Sequence, residues 1–356
     1  MKTKICFIIY SLGNGGAERV LTTLSNYFTK THVVTIITFK KETHYYELDE
    51  NIVLKSIDSD SNSKNIFEAV INNINIIINL TKILKSVNPD VVISFMTTSN
   101  ILATISCRII GKPIIISERV NYDFLSSQVW KQIRKLIYPF ANYLVVQSDY
   151  DLDKYSFVKN IIVIYNPLFF KDIKELKERE KFILAVGRLD YQKGFDMLIE
   201  AYSKLDTNWK LKIIGEGKGR DNLNKLIEQK KLENKVILVG RKKDVINYYQ
   251  RASIFVLSSR FEGFPNVLCE AMACGCPSIA FDCKTGPANM IDDGENGVLV
   301  ESDNINKLSL SIQKLIDDKQ IRDKLSKNGK EIKNSLDIKN ITSQWMKIIE
   351  KVNKRD

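Results

Sequence analysis

Short apolar runs alternate with longer amphipathic stretches along most of the chain. Runs such as Lys4–Tyr10 and Val91–Phe95 are almost entirely apolar, which is typical of strands buried on both faces of a sheet. The stretches between the runs repeat apolar residues every three or four positions, as amphipathic helices do. Because no hairpin signals separate the runs, the pattern predicts parallel strands joined by crossover helices. The expected fold class is α/β with doubly wound sheets.

The strand–helix alternation starts twice. Asn166-Pro167 follows a short apolar run, and a stretch rich in lysine and glutamate, Lys171–Lys181, precedes the next strand. A domain boundary is therefore expected near Asn166, and a last helix with one apolar face is expected at Ile338–Asn353. The predicted segments are an N-terminal Rossmann-like domain (1–165), a C-terminal Rossmann-like domain (166–335) and a C-terminal helical segment (336–356).

Composition narrows the class of protein. The chain has 356 residues, of which 44% are hydrophobic and 27% charged, as is ordinary for a globular protein. No apolar run approaches the roughly 18 residues that span a bilayer, and the first ten residues do not resemble a secretory leader, so we expect a cytoplasmic protein. The net charge of +11 favours anionic partners. Without a zinc-finger, helix-turn-helix or basic–aromatic patch, no nucleic-acid partner is expected.

Cysteine and histidine offer little for metal or nucleophilic chemistry. The six cysteines include no C-x-x-C pair and lie in apolar or turn segments, so we expect free, buried thiols in a reducing compartment. The two histidines, His32 and His44, are too few for a histidine metal site or a Ser-His triad.

The stretch from Ser258 to Glu270 has the strongest chemical pattern. It follows a buried apolar strand, and Pro265 suits the first turn of a helix that would end before Gly275. The unpaired N–H groups at a helix N-terminus bind phosphate. Glu262 and Glu270 cannot be phosphate ligands, but their carboxylates can accept hydrogen bonds from hydroxyls. A sugar nucleotide carries hydroxyls on both sides of its diphosphate.

Two further turns follow predicted strands. Arg188 and Lys193 lie in a turn between a strand and a helix, where a guanidinium and an ammonium could straddle a diphosphate. Gly15 and Gly16 belong to a glycine-rich turn after the first strand, where backbone amides can approach a phosphate or a sugar closely. The dinucleotide fingerprint is a rival interpretation of that turn, but its last position is Glu18 here.

These segments resemble those of the retaining family 4 glycosyltransferases. The resemblance rests on Glu262 and Glu270 in the context Glu-Gly-Phe-Pro-Asn-x-x-x-Glu-Ala-Met, on the turn after Gly187 and on the opening Gly-Gly-Ala-Glu-Arg. The resemblance covers the chain from Lys4 to the last helix. Within the family, the sequence most resembles bacterial enzymes that extend capsular, O-antigen or lipid-linked glycans.

The resemblance implies a GT-B fold, in which two Rossmann-like domains face each other across a cleft and the terminal helix packs back toward the N-terminal domain. It also implies a reaction. A hexose or N-acetylhexosamine would move from a UDP-sugar, with retention and without a metal or other cofactor, to a hydroxyl of a growing, polyprenyl-diphosphate-linked surface glycan.

The resemblance also assigns roles to residues. The implied catalytic residues, which stabilise the departing diphosphate or hold the transferred sugar, are Arg188, Lys193 and Glu262. The implied donor-binding residues are Gly15, Gly16, Glu216, Arg241, Phe264, Pro265, Asn266, Val267 and Glu270, the last of these on the ribose hydroxyls. Glu118 and Arg119, after an N-terminal-domain strand, are expected on the acceptor side; many relatives carry a histidine where this chain has Arg119.

The residues leave two other classes of protein open, and they offer little support for a third. An NAD(P)-type oxidoreductase would need an acid–base residue for hydride transfer, which the sequence does not reveal. A non-catalytic sugar-nucleotide-binding protein would not need four charged residues in the site. This chain has them as Arg188, Lys193, Glu262 and Glu270. A metal-dependent enzyme of the GT-A fold could use Asp58–Asp60 or Asp151–Asp153, but neither segment has other ligand types nearby.

A helix predicted at Asn65–Val87 is apolar over an unusually wide arc, and the helix around Lys131–Lys135 is basic. Together they could attach the protein to the surface of an anionic membrane. Plain packing of the first helix in the core is the competing interpretation.

Overall fold

Two parallel β-sheets, each covered by helices, make up the fold. The computed structural model describes residues 2–41, 44–58, 65–125, 127–168 and 178–354. The chain divides into unit 1, residues 1–169 with 337–356, and unit 2, residues 170–336. Most of the predicted linker Lys171–Lys181 lies outside the described residues.

Among the described residues of unit 1, seven strands form one sheet in which all neighbouring strands are parallel. Its order is β3-β2-β1-β4-β5-β6-β7. The strands are β1 (Lys4–Ile9), β2 (Val33–Thr38), β3 (Val53–Ser56), β4 (Val91–Phe95), β5 (Ile114–Ser117), β6 (Tyr143–Val146) and β7 (Ile161–Val163). The first helices are α1 (Gly16–Phe28), α2 (Ile66–Val87), α3 (Thr97–Ile109), α4 (Gln128–Ile137) and α5 (Asp149–Lys154).

Unit 2 repeats this architecture with a six-stranded parallel sheet of order β10-β9-β8-β11-β12-β13. The strands are β8 (Glu180–Val186), β9 (Lys210–Ile214), β10 (Val236–Gly240), β11 (Ala252–Leu257), β12 (Ser278–Asp282) and β13 (Val298–Glu301). The helices are α6 (Phe195–Tyr202), α7 (Arg220–Gln229), α8 (Val245–Arg251), α9 (Asn266–Ala273), α10 (Pro287–Met290), α11 (Ile305–Asp317), α12 (Lys319–Gly329) and α13 (Ile332–Ser335).

The last helix, α14 (Ile338–Asn353), belongs to unit 1. The fully buried ring of Trp345 stacks on Phe95 at the end of β4, with ring centroids 6.2 Å apart. A parallel bridge between Leu168 and Asp337 joins the two points where the chain leaves unit 1 and returns to it. The first and last parts of the sequence therefore share one core.

Alternating side chains of β1 explain why both faces of the unit 1 sheet are covered. Cys6 and Ile8 pack into a core cluster with residues of α2 and α3. Phe7 points to the other face, where its ring lies near those of Phe28 in α1 and Phe95. An apolar strand between two helical layers is what the uninterrupted apolar run predicts.

All six cysteines are free and buried, which confirms the expectation from their sequence context. Burial raises the pKa of the Cys276 thiol to about 12. A thiol of that kind is the apolar, unreactive form of cysteine.

Helix α2 has two apolar faces rather than one. Ile76, Leu80 and Leu84 are buried in the unit 1 core. A second set, at helical spacing of three and four residues, is exposed to between 42% and 74%. Its members are Phe67, Val70, Ile71, Ile74 and Ile78. Core packing therefore accounts for only one side of the wide apolar arc.

Candidate active site in unit 2

The predicted donor-site residues of unit 2 lie at the carboxyl ends of neighbouring strands. Strands β9, β8 and β11 are adjacent and parallel, so the turns that follow them meet at one edge of the sheet. Arg188 and Lys193 follow β8, Glu216 follows β9, and Glu262 follows β11. Ligands of doubly wound sheets bind at this edge.

Glycines allow these turns to pack tightly. Gly215 has a φ of +149°, and a Cβ at this position would lie 1.8 Å from the carbonyl oxygen of Gly187. Gly194, with φ +61°, would similarly place a Cβ 2.1 Å from the carbonyl oxygen of Ser258. A side chain at either position would separate the turns that carry the charged residues.

Lys193 and Glu262 form the centre of the site. Lys193 Nζ lies 2.6 Å from Glu262 Oε1, and Ser259 Oγ donates a 2.6 Å hydrogen bond to the same oxygen. The side chains are only 16% and 5% exposed, so the ion pair is largely screened from solvent. These two partners, which lie at the same edge of the sheet, hold the carboxylate at one position.

Arg188 has a different environment. Its side chain is 74% exposed, and its Nε lies 3.1 Å from Asp190 Oδ2. The exposed guanidinium is accessible to an anion from solvent, whereas the Lys193 ammonium is already paired with Glu262. The structure therefore brings Lys193 and Glu262 together and leaves Arg188 at the rim.

The phosphate-facing helix of the prediction is α9. The helix begins at Asn266, directly after its N-cap residue Pro265, and it ends before Gly275, whose φ of +67° is left-handed as predicted. The N–H of Asn266 donates to the carbonyl of Phe264 at 2.9 Å. Across the described chain, the structure records no intramolecular acceptor for the N–H of Val267. This amide fits the predicted contact with an anion at a helix N-terminus.

Glu270 lies one turn inside α9 and is half-buried. The hydroxyl of Tyr249, in α8, donates a 3.1 Å hydrogen bond to Glu270 Oε2. Tyr249 did not stand out in the sequence, because the contact joins residues 21 positions apart on different helices.

Glu216 and Arg241 lie at the outer part of the site. Arg220 donates two hydrogen bonds to the Glu216 carboxylate, at 2.9 and 2.6 Å, and these bonds lower the pKa of Glu216. Arg241 is exposed. Contact of either residue with a nucleotide base stays a prediction.

Arg260 fastens the turns after β8 and β11 to each other. It donates to both carboxylate oxygens of Asp196, at 2.9 and 2.5 Å, and to the carbonyl of Tyr191 at 2.8 Å. In the opposite direction, Gln192 Nε2 donates to the carbonyl of Phe261 at 3.0 Å. Sequence reasoning missed this role, although Arg260 lies inside the motif that it identified.

The candidates in unit 1 lie in that unit's own strand-end turns. Gly15 is the N-cap residue of α1 and Gly16 its first residue. Glu118 is buried, and its carboxylate accepts hydrogen bonds from Thr97 (2.9 Å) and from the hydroxyl of Tyr138. Burial raises the pKa of Glu118 to about 6. This carboxylate is held inside unit 1, and its expected acceptor contact stays a prediction.

Arg119 is also buried. Its guanidinium lies over the rings of Phe95 and Trp345, with centroid distances of 4.6 and 5.7 Å, and it donates to Asn166 Oδ1 at 2.7 Å. Burial lowers its pKa to about 9. Arg119 thereby connects the turn after β5 to α14, and its expected role toward the acceptor stays a prediction.

The structure describes only one of the two Asp-x-Asp segments in full. Asp151 lies in α5 and accepts hydrogen bonds from the N–H of Tyr122 and from Ser148. Asp60, in the other segment, lies outside the described residues. Within the ranges that the structure describes, no group of three His, Cys, Asp or Glu side chains could hold a metal ion.

Comparisons with known proteins identify the fold and family. WaaB, a lipopolysaccharide outer core galactosyltransferase, superimposes with a TM-score of 0.79 over 98% of this chain and 99% of its own, at 23% identity. HepE of Anabaena, solved in complex with UDP, gives a TM-score of 0.82 over 99% of this chain and all of its own, at 18% identity. Both units are Rossmann-like, and the fold is GT-B.

Two family models match the sequence. The Glycosyltransferase Family 4 model matches residues 14–168, and the model for Glycosyl transferases group 1 matches residues 169–332. An α-1,4-N-acetyl-D-galactosaminyltransferase of Campylobacter jejuni, named for the substrate GalNAc-α-(1→4)-GalNAc-α-(1→3)-diNAcBac-PP-undecaprenol, is 33% identical over 98% of this chain and 99% of its own. A second N-acetylgalactosaminyltransferase of that organism is 30% identical over 90% and 92%.

The chain belongs to the family 4 glycosyltransferases, and it is a glycosyltransferase. This confirms the family and the class of enzyme that the motifs indicated. The oxidoreductase, the non-catalytic protein and the GT-A enzyme are thereby set aside.

Proposed function

We propose that the protein transfers an N-acetylhexosamine or a hexose from a UDP-sugar, with retention at the anomeric carbon, to a hydroxyl of a polyprenyl-diphosphate-linked glycan. The observation that carries this proposal is the buried Lys193–Glu262 pair beside the N-terminus of α9. A cation, a carboxylate and a helix N-terminus together match the diphosphate and the sugar hydroxyls of a donor.

The proposed mechanism uses these residues in distinct roles. The acceptor hydroxyl attacks the anomeric carbon on the face from which UDP departs, and the bond between that carbon and the phosphate oxygen breaks. The hydroxyl proton passes to the departing phosphate oxygen, so that no separate base is required. Arg188 and Lys193 stabilise the charge that develops on the diphosphate, and Glu262 holds the transferred sugar. No metal takes part.

The names of the relatives support the choice of substrates. Two of them are N-acetylgalactosaminyltransferases whose names include an undecaprenol-linked diphosphate. UDP-N-acetylgalactosamine is therefore the first donor to test, with UDP-N-acetylglucosamine, UDP-glucose and UDP-galactose as competitors.

The proposal includes attachment of unit 1 to an anionic membrane, at the cytoplasmic face where a polyprenyl acceptor would be reached. No helix in the described ranges is long and apolar enough to cross a bilayer. The exposed face of α2 supports attachment instead, because five large apolar side chains lie on it. Exposed cations on α2, α3 and α4 lie on the same helical layer: Lys82, Lys85, Arg108 and Lys135. Apolar side chains combined with cations favour an anionic lipid surface.

The decisive experiment measures UDP release from each donor with EDTA present and a short polyprenyl-diphosphate-linked N-acetylhexosamine as acceptor. Release that requires the acceptor and continues in EDTA is expected, and NMR of the product should show an α-linkage. An inverted product, or release that stops in EDTA and returns with a divalent cation, would contradict the proposal.

A further inference from the structure

Tyr249 is fully buried and held from three sides. Its ring meets Phe255 of β11 edge-on, with centroids 5.7 Å apart. Its carbonyl accepts a 2.8 Å hydrogen bond from Arg179. Its hydroxyl donates to Glu270 Oε2 at 3.1 Å. The tyrosine therefore has little freedom to change the direction of its hydroxyl.

Arg179 fixes the two helices that carry this hydrogen bond. One of its terminal nitrogens also donates to the carbonyl of Gln250, at 2.7 Å, and the other donates to the carbonyl of Cys274 at 2.7 Å. One guanidinium thus binds the carboxyl ends of both α8 and α9, where carbonyls lack helical partners. The Tyr249–Glu270 hydrogen bond is a second link between the same helices.

We propose that Tyr249 is a positioning residue that orients the Glu270 carboxylate toward the ribose hydroxyls of the donor nucleotide. This inference rests on the proposed function, in which Glu270 holds the ribose. A carboxylate has about four lone-pair sites. The hydroxyl of Tyr249 occupies one of them on Oε2, which fixes the plane of the carboxylate and directs the remaining sites.

The test compares ribose with deoxyribose ligands. Binding of UDP, 2′-deoxy-UDP and 3′-deoxy-UDP is measured by calorimetry for the wild type and for Tyr249→Phe, which removes only the hydroxyl. We expect the substitution to weaken UDP binding about tenfold, and to weaken binding of the deoxy analogue that lacks the hydroxyl held by Glu270 less than about twofold. A purely structural effect of the lost hydroxyl would weaken all three ligands equally.

Two further variants sharpen the comparison. Tyr248→Phe alters the neighbouring tyrosine of the same helix and should leave all three affinities unchanged. In a Glu270→Gln background, adding Tyr249→Phe should not change the ratio of UDP to deoxy-UDP affinity any further. An equal loss for every ligand, or an undiminished preference for ribose in Tyr249→Phe, would overturn the inference.

The nucleotide preference of the wild type tests the assignment of the donor separately from the role of Tyr249. If the wild type binds GDP or ADP in preference to UDP, the proposed donor is wrong, and the same comparison with the deoxy forms of that nucleotide still tests Tyr249. Failure of the wild type to bind any nucleoside diphosphate would overturn both.

Discussion

Lys193 Nζ and Glu262 Oε1 lie 2.6 Å apart, although the residues are 69 positions apart in the sequence. The turns after β8 and β11 bring them together because those strands are neighbours in a parallel sheet. Each charge therefore depends on the other for its environment, and a substitution of either residue acts on both.

Glu262→Gln should abolish most of the transfer while the protein stays folded. The amide keeps the shape of the side chain but cannot balance the ammonium or bind sugar hydroxyls as strongly, so we expect kcat to fall about 10²–10³-fold. The comparison variant is Glu262→Ala, which also empties the space and should lower the melting temperature further. Normal turnover in Glu262→Gln would show that the sugar is held elsewhere.

Arg188→Ala should affect catalysis without affecting stability. Because the side chain is 74% exposed, we expect the free energy of unfolding to change by no more than about 0.5 kcal/mol. The rate of sugar transfer should fall about 10²–10³-fold, because the negative charge on the departing diphosphate is no longer stabilised by the guanidinium. Lys218→Ala, an exposed lysine near the same sheet edge, is the matched control and should retain full activity.

The stability of unit 1 should depend on the protonation of Glu118. Burial raises the pKa of this carboxyl from 4.5 to about 6, against the opposing effects of Tyr138, Arg134 and Thr97. The folded state then binds a proton more tightly than the unfolded state, so this contribution to stability is complete below pH 4.5 and declines as the pH rises through 6. A shift of this size corresponds to about 2 kcal/mol.

The measurement is urea unfolding between pH 4 and 8, compared for the wild type and Glu118→Gln. The difference removes the contributions of other titrating groups, including Asp151, whose pKa is also raised by burial. We expect the variant to gain stability relative to the wild type as the pH rises through 6. A difference that does not vary with pH would mean that the Glu118 carboxyl has the same pKa in the folded and unfolded states.

The exposed face of α2 should bind vesicles. We expect the wild type to float with vesicles that contain phosphatidylglycerol and to bind phosphatidylcholine vesicles weakly. The triple substitution Phe67→Ser, Ile71→Ser and Ile74→Ser should weaken binding at least about tenfold, because each side chain contributes apolar area. Leu310→Ser removes an apolar residue of α11 that is 70% exposed, and it should have no effect. Unchanged flotation of the triple variant would exclude α2 as the attachment surface.

Trp345→Ala should destabilise unit 1 by about 3–5 kcal/mol, because a fully buried ring is lost from the stack with Phe95 and Arg119. Chemical denaturation followed by circular dichroism measures the change. Trp345→Phe, which keeps a ring, should cost less, and Trp130→Phe in α4 serves as a control for the loss of an indole. Equal stability of Trp345→Ala and the wild type would mean that α14 does not contribute to the core.

Strongly patterned elements could be predicted from the sequence. Strand β4 and helix α14 have the predicted ends, because a buried apolar run and a continuous apolar face leave few alternatives. Strand β3 was missed since its four residues are largely exposed at the edge of the sheet and show no apolar pattern. Its position depends on pairing with β2, which no local signal encodes.

The candidate site was predictable where chemistry and local pattern coincide. Glu262 and Glu270 lie within one strand–turn–helix segment, and Arg188 and Lys193 within another. Tyr249, the hydrogen-bond partner of Glu270, comes from a different helix. A buried tyrosine in an amphipathic helix looks like an ordinary core residue until the fold brings its hydroxyl to a carboxylate.

The stack of Trp345 on Phe95 has a consequence for how the molecule is made. A ribosome releases the chain from its amino end, and domains usually fold in the order in which they emerge. Here the sheet of unit 1 emerges before unit 2, but α14, which shares one face of that sheet with α1, follows unit 2 in the sequence. All of unit 2 emerges before that helix does. The part of the unit 1 sheet that Trp345 covers, around Phe95, therefore stays open throughout the synthesis of unit 2.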